Sequence, residues 1–256
     1  MTGETLLRLA LVPAAVWLAS LAARRWGHAV SGYLGGMPLI GGPITLFLAL
    51  DLGSAFAAKS ALFTLAAVVG QGAHLMTLTW VGQRRGWAAA LAGGWAGFLA
   101  AALLVSLLPL TLALAAALAV GSLAAAWRWL PRVSGTVPPP SIPPMELRLR
   151  LLAAFALAGL ILWSAPVFGP AVSGILLSLP VTGSIMPPFT LALYGPQALV
   201  RLTRGFVVGL TGFSAFFLVV AATLVPLGIS RAFLLAVVAA LAAVYCTNRL
   251  VSRRRT

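Results

Sequence analysis

The sequence predicts an all-α polytopic membrane protein in which about nine transmembrane helices form two inverted four-helix repeats joined by an unpaired fifth helix. Three observations predict this 4+1+4 arrangement. The chain is apolar almost from end to end, its two halves match at a constant spacing, and its arginines cluster on one side of the predicted helices. The apolar composition predicts transmembrane helices, the matching halves predict the repeat, and the arginines predict the orientation of each repeat.

Composition places the protein in a lipid bilayer. The 256 residues have a mean hydropathy of +1.06 and only three carboxylates. The alternation of polar and apolar residues that a membrane barrel requires is absent, so backbone groups must be satisfied within helices. The net charge of +14 comes from basic residues placed between apolar spans. This placement follows membrane topology, so we expect the lipid bilayer, and no nucleic acid, as a partner.

An internal duplication relates the two halves. Residues 27–76 match residues 169–218 without a gap at an offset of 142, and twelve of the fifty positions are identical. Gly, Pro, Glu and Arg matches carry the most weight, because an apolar chain gives chance matches among Ala and Leu. The shared Gly, Ser and Pro positions pair Gly27, Ser31, Gly32, Pro38, Gly41, Gly53 and Gly70 with Gly169, Ser173, Gly174, Pro180, Gly183, Gly195 and Gly212. Glu4 and Arg8 match Glu146 and Arg150 in the same register, so the repeat includes the first apolar segment.

Nine apolar segments approach the ~20 helical residues that a bilayer crossing requires. They cover residues 5–23, 30–50, 55–82, 87–107, 110–130, 147–165, 172–193, 198–224 and 231–248. Pro109 divides residues 86–130 into a hairpin, and prolines make the next stretch an extended linker. The predicted domains are residues 1–107 (first repeat), 108–130 (linking helix), 131–144 (cytoplasmic linker) and 145–256 (second, inverted repeat with a basic C-terminal tail).

The arginines orient the helices. With the N-terminus outside, fourteen of the seventeen basic residues fall on the cytoplasmic side, and only Arg8, Lys59 and Arg231 fall outside. This distribution obeys the positive-inside rule and favours nine crossings with a cytoplasmic C-terminus. Because helices one to four match helices six to nine and one helix lies between the two sets, we expect the repeats to have opposite orientations.

Glycine and proline interrupt the second and seventh predicted helices at corresponding positions. Lipid offers no replacement hydrogen bonds there, and a proline inside a helix costs about 3 kcal/mol. Paired interruptions in inverted halves are typical of a binding site at the middle of the membrane. The predicted substrate-binding residues on these two helices are Ser31, Pro38, Gly41, Gly42, Thr45, Ser173, Pro180, Thr182, Gly183, Ser184 and Thr190. The alternative is that they are kinks and close-packing glycines without a ligand.

Polar side chains on the third predicted helix extend this candidate site. Gln71 and His74 join the substrate-binding set, and His74 is the only titratable side chain placed well inside the bilayer. It is either a neutral histidine that donates to a neighbouring carbonyl or a residue that binds the ligand or carries a coupled proton. Phe216 occupies the matching position in the second repeat.

Two other groups of residues are expected to be structural. Glycines with small-residue spacing should let the fourth and eighth helices pack closely on their neighbours. They are Gly93, Gly94, Gly97, Gly205, Gly209 and Gly212. Glu146 and Arg150, spaced i,i+4, should form a weak ion pair that anchors a helix end at the membrane boundary.

Catalysis and cofactors are not expected. No metal-binding cluster or phosphate loop occurs in the sequence, and the single Cys246 allows no disulfide within the chain. Ser31 and His74 are the one nucleophile–base pair that an intramembrane hydrolase could use. Ser173 recurs without a histidine, so the Ser–Gly pair is interpreted as architectural and the protein as a non-enzyme without cofactor or metal.

Two stretches carry a resemblance to known proteins: SGILLSLPVTGSIMPPFTLALYG and GLTGFSAFFLVV. Through them the chain resembles an uncharacterised family of predicted bacterial inner-membrane proteins, which implies the bacterial cytoplasmic (inner) membrane as its location. In arrangement alone, the 4+1+4 repeat is similar to nine-helix transporters of the bile acid:sodium symporter class. The interrupted helix is second in each repeat here, rather than third as in that class.

These observations predict a secondary transporter or facilitator of a small organic solute, anionic rather than cationic, bound between helices two and seven. Half-helix dipoles favour an anion there, and no intramembrane carboxylate offsets a cation. A coupled proton would pass through His74. The alternatives are a flippase for a lipid or lipid-linked intermediate and a non-transporting membrane assembly factor; each is compatible with a homo-oligomer. A lateral opening to the bilayer would favour the lipid function, and a small closed polar cavity would favour a soluble solute.

Overall fold

The computed structural model of the protein describes residues 12–14, 16–17, 20, 27–133 and 143–253, and every regular element in these ranges is helical. The helices are α1 (27–36), α2 (Gly41–Asp51), α3 (Ser54–Ala66), α4 (Val68–Gly82), α5 (Trp87–Ser106), α6 (Leu112–Trp129), α7 (Pro144–Leu177), α8 (Val181–Leu227) and α9 (Ile229–Arg253). Within the described ranges, six helical stretches are long and apolar enough to cross a membrane. The composition is that of a multi-pass helical membrane protein.

The division of residues 86–130 into two helices near Pro109 is confirmed. α5 ends at Ser106, and α6 begins after Thr111, whose hydroxyl oxygen accepts the backbone N–H of Leu114 at 3.2 Å. Most of the first predicted helix and residues 134–142 of the predicted linker lie outside the described residues.

Single glycines replace the loops expected between the sixth, seventh and eighth predicted helices. Gly169 (φ 76°, ψ −177°) and Gly195 (φ 78°, ψ −176°) are the two non-helical residues inside α7 and α8. A side chain would clash in this conformation, so only glycine adopts it readily. Pro170 and Pro196 follow, and proline fixes the φ angle of the first helical residue. The predicted loops of several residues were therefore wrong, because a Gly–Pro pair redirects the chain in one step.

The interruption in the second predicted helix is a break at residues 37–40. The N–H of Leu39 donates to the carbonyl of Met37 at 2.8 Å, and the N–H of Gly42 donates to the carbonyl of Pro38 at 2.8 Å. These bonds replace the regular helical ladder, in which Pro38 cannot donate. α1 therefore ends at the break, and α2 begins there with a new N-terminus.

The interruption in the seventh predicted helix has the same geometry. Between α7 and α8, the N–H of Val181 donates to the carbonyl of Leu179 at 2.8 Å, and the N–H of Ser184 donates to the carbonyl of Pro180 at 2.7 Å. All four residues lie 142 positions after their counterparts in the first break. A helix N-terminus therefore forms at the corresponding point of each half.

Reciprocal glycine crossings join the two halves. A methyl group on Gly32 of α1 would overlap the carbonyl oxygen of Leu202 in α8, and one on Gly174 of α7 would overlap the carbonyl oxygen of Ser60 in α3. Gly174 is the counterpart of Gly32, and Leu202 is the counterpart of Ser60. In each half, therefore, the helix before the break packs against the helix that follows the break in the other half: α1 against α8, and α7 against α3.

Close approach of backbones at these crossings depends on the glycines predicted to pack. A side chain on any of the six would lie within 3.0 Å of a neighbouring helix. Gly205 and Gly209, for example, lie against the carbonyl oxygens of Ala29 and Tyr33 in α1. The predicted packing role is confirmed for Gly205, Gly209 and Gly212, where a Cβ atom would overlap the backbone of a neighbouring helix. At Gly93, Gly94 and Gly97, the nearest atoms belong to side chains of α4.

Candidate functional site

A cavity lies between the two helix breaks. The centre of a water-sized sphere can reach about 70 Å³ of it. Residues from both breaks, α4, α7 and α8 form its wall, together with Val16 and Ser20. Seven of the thirteen predicted binding residues line the cavity: Ser31, Gly41, Gln71, His74, Pro180, Thr182 and Gly183.

The other six predicted binding residues do not line the cavity. They are Pro38, Gly42, Thr45, Ser173, Ser184 and Thr190. The hydroxyl of Thr45 donates to the carbonyl of Gly41 at 2.7 Å, and that of Ser173 donates to the carbonyl of Gly169 at 2.9 Å. Both bonds lie within one helix turn, where Ser and Thr hydroxyls commonly bond to the carbonyl four residues earlier.

Gln71 supports the second break from α4. Its side-chain Nε2 donates to the carbonyl of Ser178 at 2.9 Å. In an unbroken helix this carbonyl would accept the N–H of residue 182, which the break at Pro180 moves away. One turn earlier, the hydroxyl of Thr64 donates to the carbonyl of Gly174 at 3.1 Å. The first half therefore supplies a donor to the Ser178 carbonyl, which the break leaves without its helical partner, and a second donor to the Gly174 carbonyl, which also accepts the N–H of Ser178 at 3.2 Å.

His74 contacts the same broken helix beyond Gln71. The side chain is fully buried, and its Nε2 lies 3.2 Å from the carbonyl oxygen of Gly183. Because a carbonyl only accepts, Nε2 carries the proton. The edge of the ring faces Trp95 with the ring centroids 6.1 Å apart. This geometry matches the simpler of the two sequence interpretations, a histidine that donates to a neighbouring carbonyl.

The first break has aromatic rings where the second has polar side chains. Thr64, Gln71 and His74 correspond to Phe206, Phe213 and Phe216 at the repeat offset of 142. Phe206 and Phe213 line the cavity beside the first break, and Phe216 packs against Gly42. Phenyl rings cannot donate hydrogen bonds to carbonyl oxygens. The two halves therefore build one wall of the cavity with donors and the other with apolar surface.

Four backbone N–H groups are available at the new helix N-termini. They belong to Ile40 and Gly41 at the start of α2 and to Thr182 and Gly183 at the start of α8. In the described part of the chain, no backbone carbonyl accepts from any of them, and all four residues line the cavity. Unbonded N–H groups at a helix N-terminus carry partial positive charge and bind anions.

Arg150 brings a full positive charge to the cavity wall. Arg150 and Glu146 are 6% and 5% exposed, and the guanidinium donates to the Glu146 carboxylate and to the hydroxyl of Ser20, the latter at 3.3 Å. The predicted i,i+4 ion pair is confirmed, and it is buried because α7 turns this face into the protein. Sequence reasoning missed Arg150 and Ser20 as cavity residues. The recurrence of Glu4 and Arg8 as Glu146 and Arg150 was the available signal.

A second concavity is a groove on the outer surface between α6, α8 and α9. It offers about 420 Å³ to the centre of a water-sized sphere, and most of its wall is apolar. Small residues of α6 such as Ala116 and Ala119 leave the space open. Thr247 and Thr211, whose hydroxyl oxygens are 3.3 Å apart, supply its polar contact between α8 and α9.

Comparison of the chain with known protein families, with characterised proteins and with solved structures finds no match.

Proposed function

We propose that the protein is a secondary transporter or facilitator of a small anionic organic solute, which binds in the cavity between the two helix breaks. The single observation that carries the proposal is the convergence of two half-helix N-termini on one cavity. The N–H groups of Ile40, Gly41, Thr182 and Gly183 line it without a backbone acceptor. Each helix end has roughly half a positive charge, and the arrangement is that of anion sites in transporters with broken helices.

The charges around the cavity support an anion. Arg150 is the one formally charged side chain among the described residues that line it, and no described carboxylate does. Because the Arg150 guanidinium is already paired with Glu146, the uncompensated positive charge of the wall is that of the two helix ends. An ammonium group would meet both ends in a medium that screens charge weakly, whereas a carboxylate would gain from them, so the cavity favours a solute with a negative group.

Helix directions support the inverted 4+1+4 arrangement, which is part of this proposal. Contacts of α1 and α2 with α8 advance from Ala29 beside Gly205 to Gly41 beside Phe217, so these helices run parallel. α8 contains the counterpart of α3, which follows α2 after a two-residue turn. Consecutive spans run antiparallel. A parallel contact between α2 and the counterpart of α3 therefore favours opposite orientations of the two halves. The arginine distribution supports the remaining part of the proposal, an outside N-terminus and a cytoplasmic C-terminus in the bacterial inner membrane.

The same inversion supports alternating access. When two broken helices have opposite orientations, each can adopt the conformation of the other. If they exchange conformations, a cavity that is open to one side of the membrane becomes open to the other side. The breaks at residues 37–40 and 178–180 both contribute to the cavity wall, so movement at either one changes its shape. A coupled proton, in this scheme, resides on His74.

The groove between α6, α8 and α9 favours a second candidate, a lipid flippase. It is larger than the cavity and is lined mainly by apolar side chains. Its wall, however, contains no residue of either break and no charged side chain for a head group. A flippase would need a polar path across the membrane for that head group. The solute transporter remains the better supported function for this reason.

Uptake by proteoliposomes tests the proposal. Liposomes containing the purified protein should accumulate labelled organic anions by counterflow, whereas Gly41→Leu and Gly183→Leu should reduce uptake at least tenfold by filling the cavity. Gly159→Leu is the control, since the space around its Cβ position is open. Equal uptake by the parent and both cavity variants would show that the breaks are packing devices. Movement of fluorescent lipid in the same vesicles, without uptake of any anion, would favour the flippase.

A further inference from the structure

We infer that the groove between α6, α8 and α9 binds an anionic phospholipid, with one acyl chain along the groove and the phosphate group at Arg128 and Arg204. The groove and the cavity between the helix breaks share no described lining residue, so the inference goes beyond the proposed function and does not depend on it. It is drawn from the length of the groove, the polarity of its wall and the charges at one of its ends.

The groove is about as long as one leaflet of a bilayer. It extends along α8 from Val207 to Leu218 and along α6 from Ala116 to Trp127. Each stretch rises about 16 Å at 1.5 Å per residue, and half of a ~30 Å hydrocarbon core is about 15 Å. The acyl chain of a lipid in one leaflet therefore matches the groove in length.

The wall offers no hydroxyl proton to a polar solute. The hydroxyl of Thr247 donates to Thr211, that of Thr211 donates to the carbonyl of Val208 at 2.7 Å, and that of Ser214 donates to the carbonyl of Leu210 at 2.8 Å. These are the hydroxyl-bearing residues of the described wall, and Ala, Val, Leu and Trp residues form the rest. Such a wall attracts its occupant through dispersion contacts, which an alkyl chain makes along its whole length.

Positive charge lies at one end of the groove. Arg204 is three residues before Val207 on the same face of α8, and its guanidinium carbon lies 4.1 Å from the centroid of the Trp127 ring, which lines the groove. Arg128 is exposed and lies one helix turn after Ala124, another lining residue. The three helices around the groove contain no carboxylate, so this end has a positive potential.

The opposite end of the groove, at Ala116 and Leu218, is uncharged. No charged residue occurs in α6 before Ala116 or in α8 after Leu218. A negative head group therefore gains at the arginine end alone, and basic pockets between transmembrane helices commonly bind such head groups. A zwitterionic lipid would bring a positive group to the same arginines, which favours a lipid with net negative charge.

The lipid is held in the groove rather than moved across the membrane. The wall contains no charged side chain between the arginine end and Leu218, so a head group has no polar path along it. The first predicted helix does not fill the groove either. Its Ser20 accepts a hydrogen bond from Arg150 of α7, and none of its described residues lines the groove.

Lipid-dependent thermal stabilisation of the delipidated protein in detergent tests the inference. Phosphatidylglycerol should raise the melting temperature at a concentration at least about tenfold below that of phosphatidylcholine with the same acyl chains, because two arginines favour the anionic head group. Glycerol 3-phosphate, which has the phosphate and no acyl chain, should have no effect at the same concentrations.

Two pairs of variants separate the acyl chain from the head group. Ala124→Leu should fill the groove and weaken both lipids, whereas Ala117→Leu, at an exposed position of α6 outside the groove, should behave as the parent. Arg128→Gln should lower the preference for phosphatidylglycerol about fivefold, the effect of one arginine near an anionic surface. Arg84→Gln, at an exposed arginine between α4 and α5, should keep the preference.

Four results would overturn the inference. Equal effective concentrations of the two lipids, or equal effects of Arg128→Gln and Arg84→Gln, would contradict the head-group site. Stabilisation of Ala124→Leu as strong as that of the parent would place the lipid outside the groove. A dimer of the delipidated parent that Ala124→Leu dissociates would make a second copy of the chain the occupant. All four leave anion uptake by proteoliposomes, the test of the proposed function, unaffected.

Discussion

His74 and Gly183 belong to different halves of the chain, and the Nε2–H of His74 donates to the Gly183 carbonyl oxygen at 3.2 Å. The bond ties α4 to the first turn of α8. Its counterpart in the other half is missing, because Phe216 stands where the repeat would place a second histidine. The first half therefore donates a side-chain hydrogen bond to the second half at this position, and Phe216 cannot donate the corresponding bond in return.

His74→Phe should test both consequences of this bond. Loss of the donor leaves a buried carbonyl unsatisfied, which we expect to lower the free energy of unfolding by about 1–3 kcal/mol. It should also abolish the stimulation of uptake by an inward proton gradient while counterflow persists. Thermal unfolding in detergent and uptake in proteoliposomes measure the two effects, with His74→Gln as a control that keeps a donor. Gradient-stimulated uptake by His74→Phe would place the coupled proton elsewhere.

Gly32→Ala and Gly174→Ala should be severely and equally destabilising. Each added methyl group would overlap a backbone carbonyl of the other half, Leu202 or Ser60, which cannot move as a side-chain tip can. Gly121→Ala and Gly159→Ala are matched controls in open space, where alanine should raise helix stability by up to about 1 kcal/mol. The yield of monodisperse protein and its melting temperature check this. Normal yields of the first two variants would show that the reciprocal crossings are looser than described.

Gln71→Leu should destabilise the second break. The substitution removes the donor to the Ser178 carbonyl, and leaving this acceptor unsatisfied costs about 1–3 kcal/mol. For a chain of this size, each kcal/mol lowers the melting temperature by roughly 2–4 °C. Gln83→Leu is the control, since among the described residues the Gln83 side chain donates within its own segment, to the carbonyl of Thr79 at 3.4 Å. Similar melting temperatures for the two variants would contradict the support of the break by Gln71.

The single substitution Glu146→Leu should lower stability more than the double substitution Glu146→Leu with Arg150→Met. Removing the carboxylate takes away the counter-charge of a buried guanidinium, which typically costs about 3–5 kcal/mol, whereas replacing both charges is often neutral. A double-mutant cycle on melting temperature measures the coupling. Additive effects of the two substitutions would indicate that water screens the pair despite its burial.

Accessibility of introduced cysteines should establish the orientation. In a Cys246→Ala background, Leu108→Cys between α5 and α6 should react with a membrane-impermeant reagent in intact cells. Arg132→Cys after α6 should react only after the membrane is opened. The expectation follows from the arginine distribution and from the proposed inversion of the repeats. The reverse pattern of labelling would rule out the outside N-terminus.

Much of the helical architecture could be predicted from sequence because lipid leaves the backbone few alternatives. Apolar length predicted the long apolar helices of a multi-pass protein, and Pro38 and Pro180 located the two breaks. Loop lengths were less predictable, since Gly169 and Gly195 each turn the chain alone. Composition does not distinguish a glycine that makes a turn from one that packs.

By itself, the sequence determined the helical class and located the two helix breaks at Pro38 and Pro180, although α7 and α8 continue through Pro166, Pro187 and Pro188. These properties depend on hydropathy and on the backbone limits of glycine and proline, which act locally. Only the tertiary structure decided which polar groups meet. The helical twist directs Thr45 and Ser173 to carbonyls of their own helices, and it directs Gln71 and His74 to the broken helix of the other half. Burial of Arg150 was also decided there, because the face that α7 presents depends on its neighbours rather than on its own sequence.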